Sequence, residues 1–181
     1  GAAKQAEEWG AFDFMLEKKA KGLVKHVGFS FHDKAEVLDK ILTRHPEMEY
    51  VQLQLNYADW EDSEVQSRKC YEVCVKYGKP VLVMEPIKGG MLANVPAEAE
   101  ALLKGARPEM SVASWAIRFA ASQENVFMVL SGMSDEQQVE DNLSYMKDFA
   151  PLSDEEKDLV AKSAAIIKSK EKVPCTGCRY C

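Results

Sequence analysis

The sequence predicts an α/β fold, the C-terminal half of a (β/α)8 barrel. Short apolar segments alternate with segments of helical periodicity, which is typical of parallel βαβ units. The first apolar segment is not followed by the glycine-rich phosphate turn that a doubly wound sheet would favour. Polar side chains instead follow the strands, at the face where barrels carry their active sites. A whole barrel typically takes about 250 residues, so four predicted strands in 181 residues correspond to half of one.

Four short segments rich in apolar residues are the predicted strands. They span residues 23–29, 50–55, 81–84 and 126–130. The third is a compact, wholly apolar run, as expected of a strand buried on both faces. The second alternates polar and apolar residues, so its polar side chains share one face.

The remaining segments have helical periodicity and recognisable ends. The predicted helices span residues 6–21, 33–43, 62–77, 97–104, 111–122, 135–147 and 153–170. Ser134 is the predicted N-cap of the sixth helix. Ser153 with Glu156 three residues later forms a capping box that opens the last one.

Composition and charge limit the function classes. The net charge of −6 argues against non-specific nucleic-acid binding, which usually requires a basic surface. There is no apolar run near 18 residues, which argues against a membrane span. No signal-peptide pattern opens the chain. We therefore expect a cytoplasmic protein without a nucleic-acid or membrane partner.

Five cysteines fall into two groups. Cys175, Cys178 and Cys181 form a C-x2-C-x2-C run, the spacing with which one loop binds three corners of a four-iron, four-sulfur cluster. This ligand set is incomplete within the chain, because such a cluster normally takes four thiolates; a zinc knuckle is the lesser alternative. We therefore divide the chain into a half-barrel, 1–170, and the start of an iron–sulfur segment, 171–181. Cys70 and Cys74 lie one helical turn apart and are predicted to be buried thiols.

Four segments together resemble the second half of an aldo/keto reductase. They are GFSFH at 28–32, VQLQLN at 51–56, VMEPIKGG at 83–90 and SGMSDEQQVEDN at 131–142. Each is short, and their order along the chain carries the resemblance. The terminal cysteines resemble the subgroup of that family with a C-terminal iron–sulfur cluster.

The resemblance implies an extended nicotinamide cofactor, NADP or NAD, bound without a Rossmann motif. Ser30 and Gln52 would hold the nicotinamide carboxamide, and Met84 stands where the family usually has a stacking aromatic. Glu85, Ile87 and Gly89 would line the pyrophosphate. The other implied cofactor residues are Gly132, Met133, Ser134, Gln138, Asp141 and Asn142. Gly132, Met133 and Ser134 stand where many members have a lysine and a hydroxyl that bind the 2′-phosphate, and Gln138 stands where many have an arginine. Lys88 is a substitute cation.

The resemblance further implies hydride transfer between that cofactor and a small carbonyl or alcohol. The family's catalytic Asp, Tyr, Lys and His precede the matched segments, so no catalytic residue is assigned here and the chain alone is expected to be inactive. We expect it to pair with the missing N-terminal half or with a second copy. A ferredoxin-like electron carrier and a non-catalytic binding half-barrel are the alternatives; the substrate is not specified.

Overall fold

The computed structural model describes residues 2–170, and its centre is one sheet of four parallel strands. These are β1 (Gly28–Phe31), β2 (Tyr50–Gln54), β3 (Val81–Met84) and β4 (Val126–Val129), in the spatial order β1-β2-β3-β4. Each strand therefore lies beside its sequence neighbour, as in a barrel. All three pairings are parallel, with an irregularity beside Val81 where β4 joins β3. The prediction of an α/β fold with four parallel strands is confirmed.

Helices connect and flank the strands. Their bounds are α1 Ala2–Glu8, α2 Ala11–Ala20, α3 Ala35–Arg44, α4 Ser67–Lys76, α5 Ala97–Ala106, α6 Val112–Ala121, α7 Glu136–Met146 and α8 Asp154–Lys170. A 3-10 segment, Lys88–Ala93, follows β3. The strand–helix alternation places the carboxyl ends of all four strands at one edge of the sheet.

The two faces of the sheet differ in burial. Val51, Leu53, Val81 and Val83 belong to one buried apolar cluster that also contains residues of α3, α4 and α6. The alternate residues are less buried: Gln52, Leu82 and Met84 are half-buried, and Met128 on β4 is 52% exposed. Helices therefore cover one face, and the other would form the inside of a closed barrel.

The helix predicted over 62–77 begins only at Ser67, and two predicted boundaries near the start of the chain were also wrong. The first predicted helix is divided in two at Gly10, which has a φ of 67° and stands at the N-cap position of α2. The first strand begins at Gly28 rather than at residue 23, because Leu23 is 69% exposed and strand pairing starts at Gly28 opposite Tyr50. Both errors arise where apolar side chains, such as Trp9 and Leu23, are exposed and do not pack into the core.

The last helix is attached by a buried ion pair. Arg118 Nη2 on α6 donates to Glu156 Oε2 on α8 at 3.2 Å, and Arg107 Nε donates to Glu156 Oε1 at 3.1 Å. The predicted capping box is confirmed, since the Ser153 amide donates to Glu156 Oε2 and the Glu156 amide to Ser153 Oγ. Helix α6, fixed in this way, forms part of the wall of the candidate site. Among the described residues, no helix combines the length and apolarity needed to cross a membrane.

Candidate functional site

A cleft of about 520 Å³ opens at the carboxyl ends of β3 and β4, and we call it the β3–β4 cleft. Helix α6 contributes Ala113 and Ile117 to its wall, and the start of α7 contributes polar side chains. All the predicted cofactor residues except Ser30 and Gln52 line it. They are Met84, Glu85, Ile87, Gly89, Gly132, Met133, Ser134, Gln138, Asp141 and Asn142. The structure thus brings together residues from two segments far apart in sequence; their roles stay predictions.

One wall of the cleft is a turn with unusual backbone geometry, residues 85–90. Glu85 and Lys88 have φ values of 55° and 48°, and Gly89 and Gly90 have 59° and 92°. A residue other than glycine in this left-handed region costs about 1 kcal/mol or more. Two such residues within four positions persist only where the surroundings hold them.

The surroundings that hold this turn are a buried polar network centred on Asp59. Lys88 Nζ donates to Asp59 Oδ1 at 2.6 Å, while Gln54 Nε2 and Asn56 Nδ2 donate to Oδ2, each at 2.9 Å. Asn56 Nδ2 also donates to the Glu85 carbonyl at 3.1 Å, and Asn56 Oδ1 accepts the Asp59 amide. Asn56 is 0% and Asp59 2% exposed. Lys88, which the sequence suggested as a phosphate-binding cation, is therefore ion-paired with a buried carboxylate, although its own side chain is 28% exposed.

The opposite wall is fixed by hydrogen bonds between α7 and its neighbours. Asn142 Nδ2 donates to Ser131 Oγ at 3.0 Å, and Asn142 Oδ1 accepts the Tyr145 hydroxyl. Burial, reinforced by the nearby Asp141 carboxylate, raises the pKa of Tyr145, which keeps that hydroxyl a donor. Asp141 Oδ2 accepts Ser111 Oγ at 2.6 Å. Asp141 and Asn142 therefore face the cleft in fixed orientations.

The entrance to α7 differs from the prediction. Asp135, not Ser134, is the N-cap, because its Oδ1 accepts the Gln138 amide at 2.9 Å. Gln138 Oε1 in turn accepts the Ser134 amide, and Gln138 Nε2 donates to Asp135 Oδ2.

Among the described residues that line the cleft there is no lysine or arginine, whereas Glu85 and Asp141 add two carboxylates.

Ser30 and Gln52 do not line the cleft. They are register partners on β1 and β2. Gln52 Nε2 donates to Met84 Sδ at 3.3 Å, and Met84 lines the cleft. Gln52 therefore contacts a residue that lines the cleft, whereas Ser30 lies one strand further away, on the edge strand β1.

The cysteines divide between described and undescribed parts of the chain. Cys70 and Cys74 are buried and free, which confirms their prediction. Burial raises the pKa of Cys70 to about 11 and that of Cys74 to about 12, so neither is a ready thiolate. Cys175, Cys178 and Cys181 lie outside the described residues. Within residues 2–170, no group of three or more His, Cys, Asp or Glu side chains is arranged to hold a metal ion.

Comparison with known proteins identifies the family. The sequence pattern of the aldo/keto reductase family matches residues 7–165. The chain belongs to this family. No curated protein gave a match to the chain. The match spans the four strands and both walls of the cleft, and it does not distinguish the iron–sulfur subgroup.

Solved aldo/keto reductases share the fold. One is AKR11C1 from Bacillus halodurans in its holo form, with 21% identity and a TM-score of 0.64 over 81% of this chain and 52% of that one. A Klebsiella pneumoniae aldo/keto reductase solved with NADP and acetate has 17% identity and a TM-score of 0.65, covering 90% and 56%. The aldose reductase of Giardia lamblia has 20% identity and a TM-score of 0.65, covering 91% and 52%.

At these identities the likeness shows the fold alone, and the chain spans about half the length of the structures it matches. The four strands and their helices therefore correspond to part of an aldo/keto reductase (β/α)8 barrel.

Sequence analysis did not single out Asp59 as a site residue. It falls in a segment rich in acidic residues after β2, where a carboxylate is ordinarily exposed. The alternation of Gln52, Gln54 and Asn56 was the available signal, since it placed three polar side chains on one face of the strand. What the alternation did not show is that two of them converge on a buried carboxylate.

Proposed function

We propose that this chain forms the cofactor-binding half of an NAD(P)(H)-dependent aldo/keto oxidoreductase that interconverts small carbonyl compounds and alcohols. The observation that carries the proposal is that the predicted cofactor residues converge on the β3–β4 cleft from the end of β3, the turn after it, the segment after β4 and α7. Family membership and the NADP named for the Klebsiella pneumoniae structure support it.

The groups in the cleft suit a dinucleotide. Hydroxyl, amide and carboxylate side chains of Ser134, Asn142 and Asp141 match sugar hydroxyls and base edges, which need donors and acceptors rather than charge. The apolar side chains of Met84 and Ile87 offer surface for a ring. The bound cofactor would supply the hydride, and the chain's contribution is to bind and orient it and to exclude water.

Cofactor choice follows from the charges of the cleft. A 2′-phosphate carries close to two negative charges and is usually bound by a cationic fork. Here the described lining residues include no basic side chain, and Lys88 is already paired with Asp59. We therefore propose that NAD and NADP bind with similar affinity. A thousandfold preference for NADP would contradict this part of the proposal.

Titration with NADH and NADPH, followed by nicotinamide fluorescence, tests the proposal. A Cβ added at Gly132 meets nothing within 4 Å, so Gly132→Trp introduces an indole at the cleft wall from an unobstructed Cβ position. We expect this variant to lose binding while it keeps its circular dichroism spectrum. Gly105→Trp is the matched control, because position 105 on α5 is equally open and does not line the cleft. Equal binding by all three proteins would contradict the proposal.

We also propose that Cys175, Cys178 and Cys181 bind three irons of a four-iron, four-sulfur cluster. Their spacing is the support. Anaerobic purification followed by a visible spectrum and by iron and sulfide determination tests it. A bound zinc ion without sulfide would contradict it, and Cys178→Ser should abolish the spectrum.

Finally, we propose that further strands of a barrel cover the open face of the sheet. Strands β1 and β4 are its edges in the described part of the chain. Phe127 and Met128, both more than half exposed, lie on β4. Unpaired edges recruit other strands, either from an N-terminal half or from a second copy. Sedimentation of the 181-residue chain tests this; a cooperative monomer that binds no hydrophobic dye would contradict it.

A further inference from the structure

The two residues other than glycine in the left-handed region of the 85–90 turn are both bound by the same buried network. Lys88 is bound through its ammonium group, which donates to Asp59 Oδ1 at 2.6 Å. Glu85 is bound through its carbonyl, which accepts Asn56 Nδ2 at 3.1 Å. A third left-handed residue of this type, Gln66, lies elsewhere. The network therefore binds the turn at Glu85 and Lys88, the two residues whose positive φ angles make the backbone conformation unfavourable.

Asp59 is the centre of this network because both of its oxygens are occupied. Oδ1 accepts Lys88, and Oδ2 accepts Gln54 and Asn56. Its side chain is 2% exposed, so solvent has little access to its oxygens. Asp59 does not line the β3–β4 cleft, whereas Glu85, Ile87 and Gly89 of the turn do.

We propose that Asp59 is a positioning residue for the cofactor: through Lys88 and Asn56 it fixes the 85–90 turn in the shape that the β3–β4 cleft requires. This inference rests on the proposed function for the identity of the ligand. The claim that Asp59 fixes the turn does not depend on the ligand. A ligand's apparent affinity falls in proportion to the population of the binding-competent shape. Loosening the turn should therefore weaken dinucleotide binding without removing any atom from the cleft.

Asp59→Asn is the decisive variant. It keeps the size of the side chain but offers one acceptor instead of two, so a donor of Lys88, Gln54 or Asn56 must face an NH2 group. Loss of one hydrogen bond to a charged group shifts a local equilibrium by roughly tenfold. We therefore expect local opening of the turn to become about tenfold more frequent.

Amide hydrogen exchange measures that opening with no cofactor present. The informative amides are Gly90 and Leu92, which both donate to the Ile87 carbonyl, at 3.0 and 3.1 Å. We expect their exchange to accelerate about tenfold in Asp59→Asn, and the dissociation constants of NADH and NADPH to rise by up to that factor. The reference amide is Lys79, which donates to the Cys74 carbonyl at the end of α4.

Two further variants complete the test. Lys88→Met removes the ion pair at a side chain that is 28% exposed, so it provides a folded protein even if Asp59→Asn does not fold. Lys88→Arg keeps a cation and should restore slow exchange. Lys76→Met is the matched control, because Lys76 also pairs with an aspartate at 2.6 Å but lies on α4, away from the cleft.

The outcomes separate the two claims. Unchanged exchange at Gly90 and Leu92 in both Asp59→Asn and Lys88→Met, or an equal acceleration at Lys79, would overturn the positioning role. If the unaltered chain binds neither dinucleotide, the proposed function fails, while the exchange data still decide whether Asp59 holds the turn. Faster exchange in the turn with unchanged dinucleotide affinity would show that the turn does not control the cleft.

Discussion

Removing Arg118 should destabilise the protein by roughly 3 kcal/mol, the lower end of the range for breaking a buried ion pair. The side chain is 4% exposed and its guanidinium donates to both oxygens of Glu156. Arg118→Met leaves the Glu156 carboxylate with the Arg107 and Ser153 contacts, which moderates the loss. Glu156→Gln should cost at least as much, because it leaves the Arg118 cation buried without a counter-charge.

Urea unfolding of the single and double variants at pH 7 measures these losses and their coupling. The double variant should be less destabilised than the sum of the singles, because it leaves no unpaired buried charge. Asp39→Asn is the control: its pair with Lys76 is exposed, and such pairs contribute about 0–1 kcal/mol. Single-variant losses below about 1 kcal/mol, or strict additivity, would refute the reasoning.

The same pair predicts a dependence on acid. Burial by itself raises the pKa of Glu156, but the Ser153 amide and the Arg118 guanidinium outweigh it and hold the pKa below its ordinary value of 4.5. The stabilisation is therefore present above pH 4.5 and is lost as the pH falls through the lowered folded-state pKa. Glu156→Gln should unfold with a shallower acid dependence than the unaltered protein; identical acid profiles would contradict this.

Two further predictions concern the core. Gly28→Ala should destabilise the sheet by roughly 1–3 kcal/mol, because a Cβ there would lie 2.5 Å from the Tyr50 carbonyl oxygen; urea unfolding measures it, and an unchanged midpoint would contradict it. Cys70 and Cys74 should resist alkylation in the native state at pH 8, because burial raises both pKa values to about 11 or above. Peptide mapping after labelling checks this, and rapid modification of either thiol would contradict it.

Sequence patterns predicted the four strands, but they did not predict the N-cap of α7 or the buried network around Asp59. The four strands and the capping box at Ser153 were predictable because each depends on local periodicity or on residues three apart. The spatial order of the strands followed from the barrel hypothesis, because each strand of a barrel lies beside its sequence neighbour. The cleft was predictable because the carboxyl ends of parallel strands meet at one edge. The cap at Asp135 was not, since Ser134 is an equally good N-cap by type and only backbone geometry distinguishes them.

The Asp59 network shows most clearly that a local sequence pattern does not predict burial that arises only from tertiary pairing. Its members come from β2, the following loop and the 85–90 turn, so its burial exists only once β2 and β3 have paired. Gln54 and Asn56 were recognised as polar groups on one strand face. Their shared carboxylate lies in an acidic loop, and nothing local marks it as buried.

The most direct test of the central claim is a residue-by-residue map of where a dinucleotide binds. Titration of the isotopically labelled 181-residue chain with NADH, followed by amide chemical shifts, provides it. The account predicts that shifts concentrate in the segments 84–90 and 131–142, which contribute most of the residues that line the β3–β4 cleft. Shifts centred instead on the aromatic cleft of about 780 Å³ beside Tyr57, Trp60 and Phe119, or no shifts at saturating NADH, would contradict it.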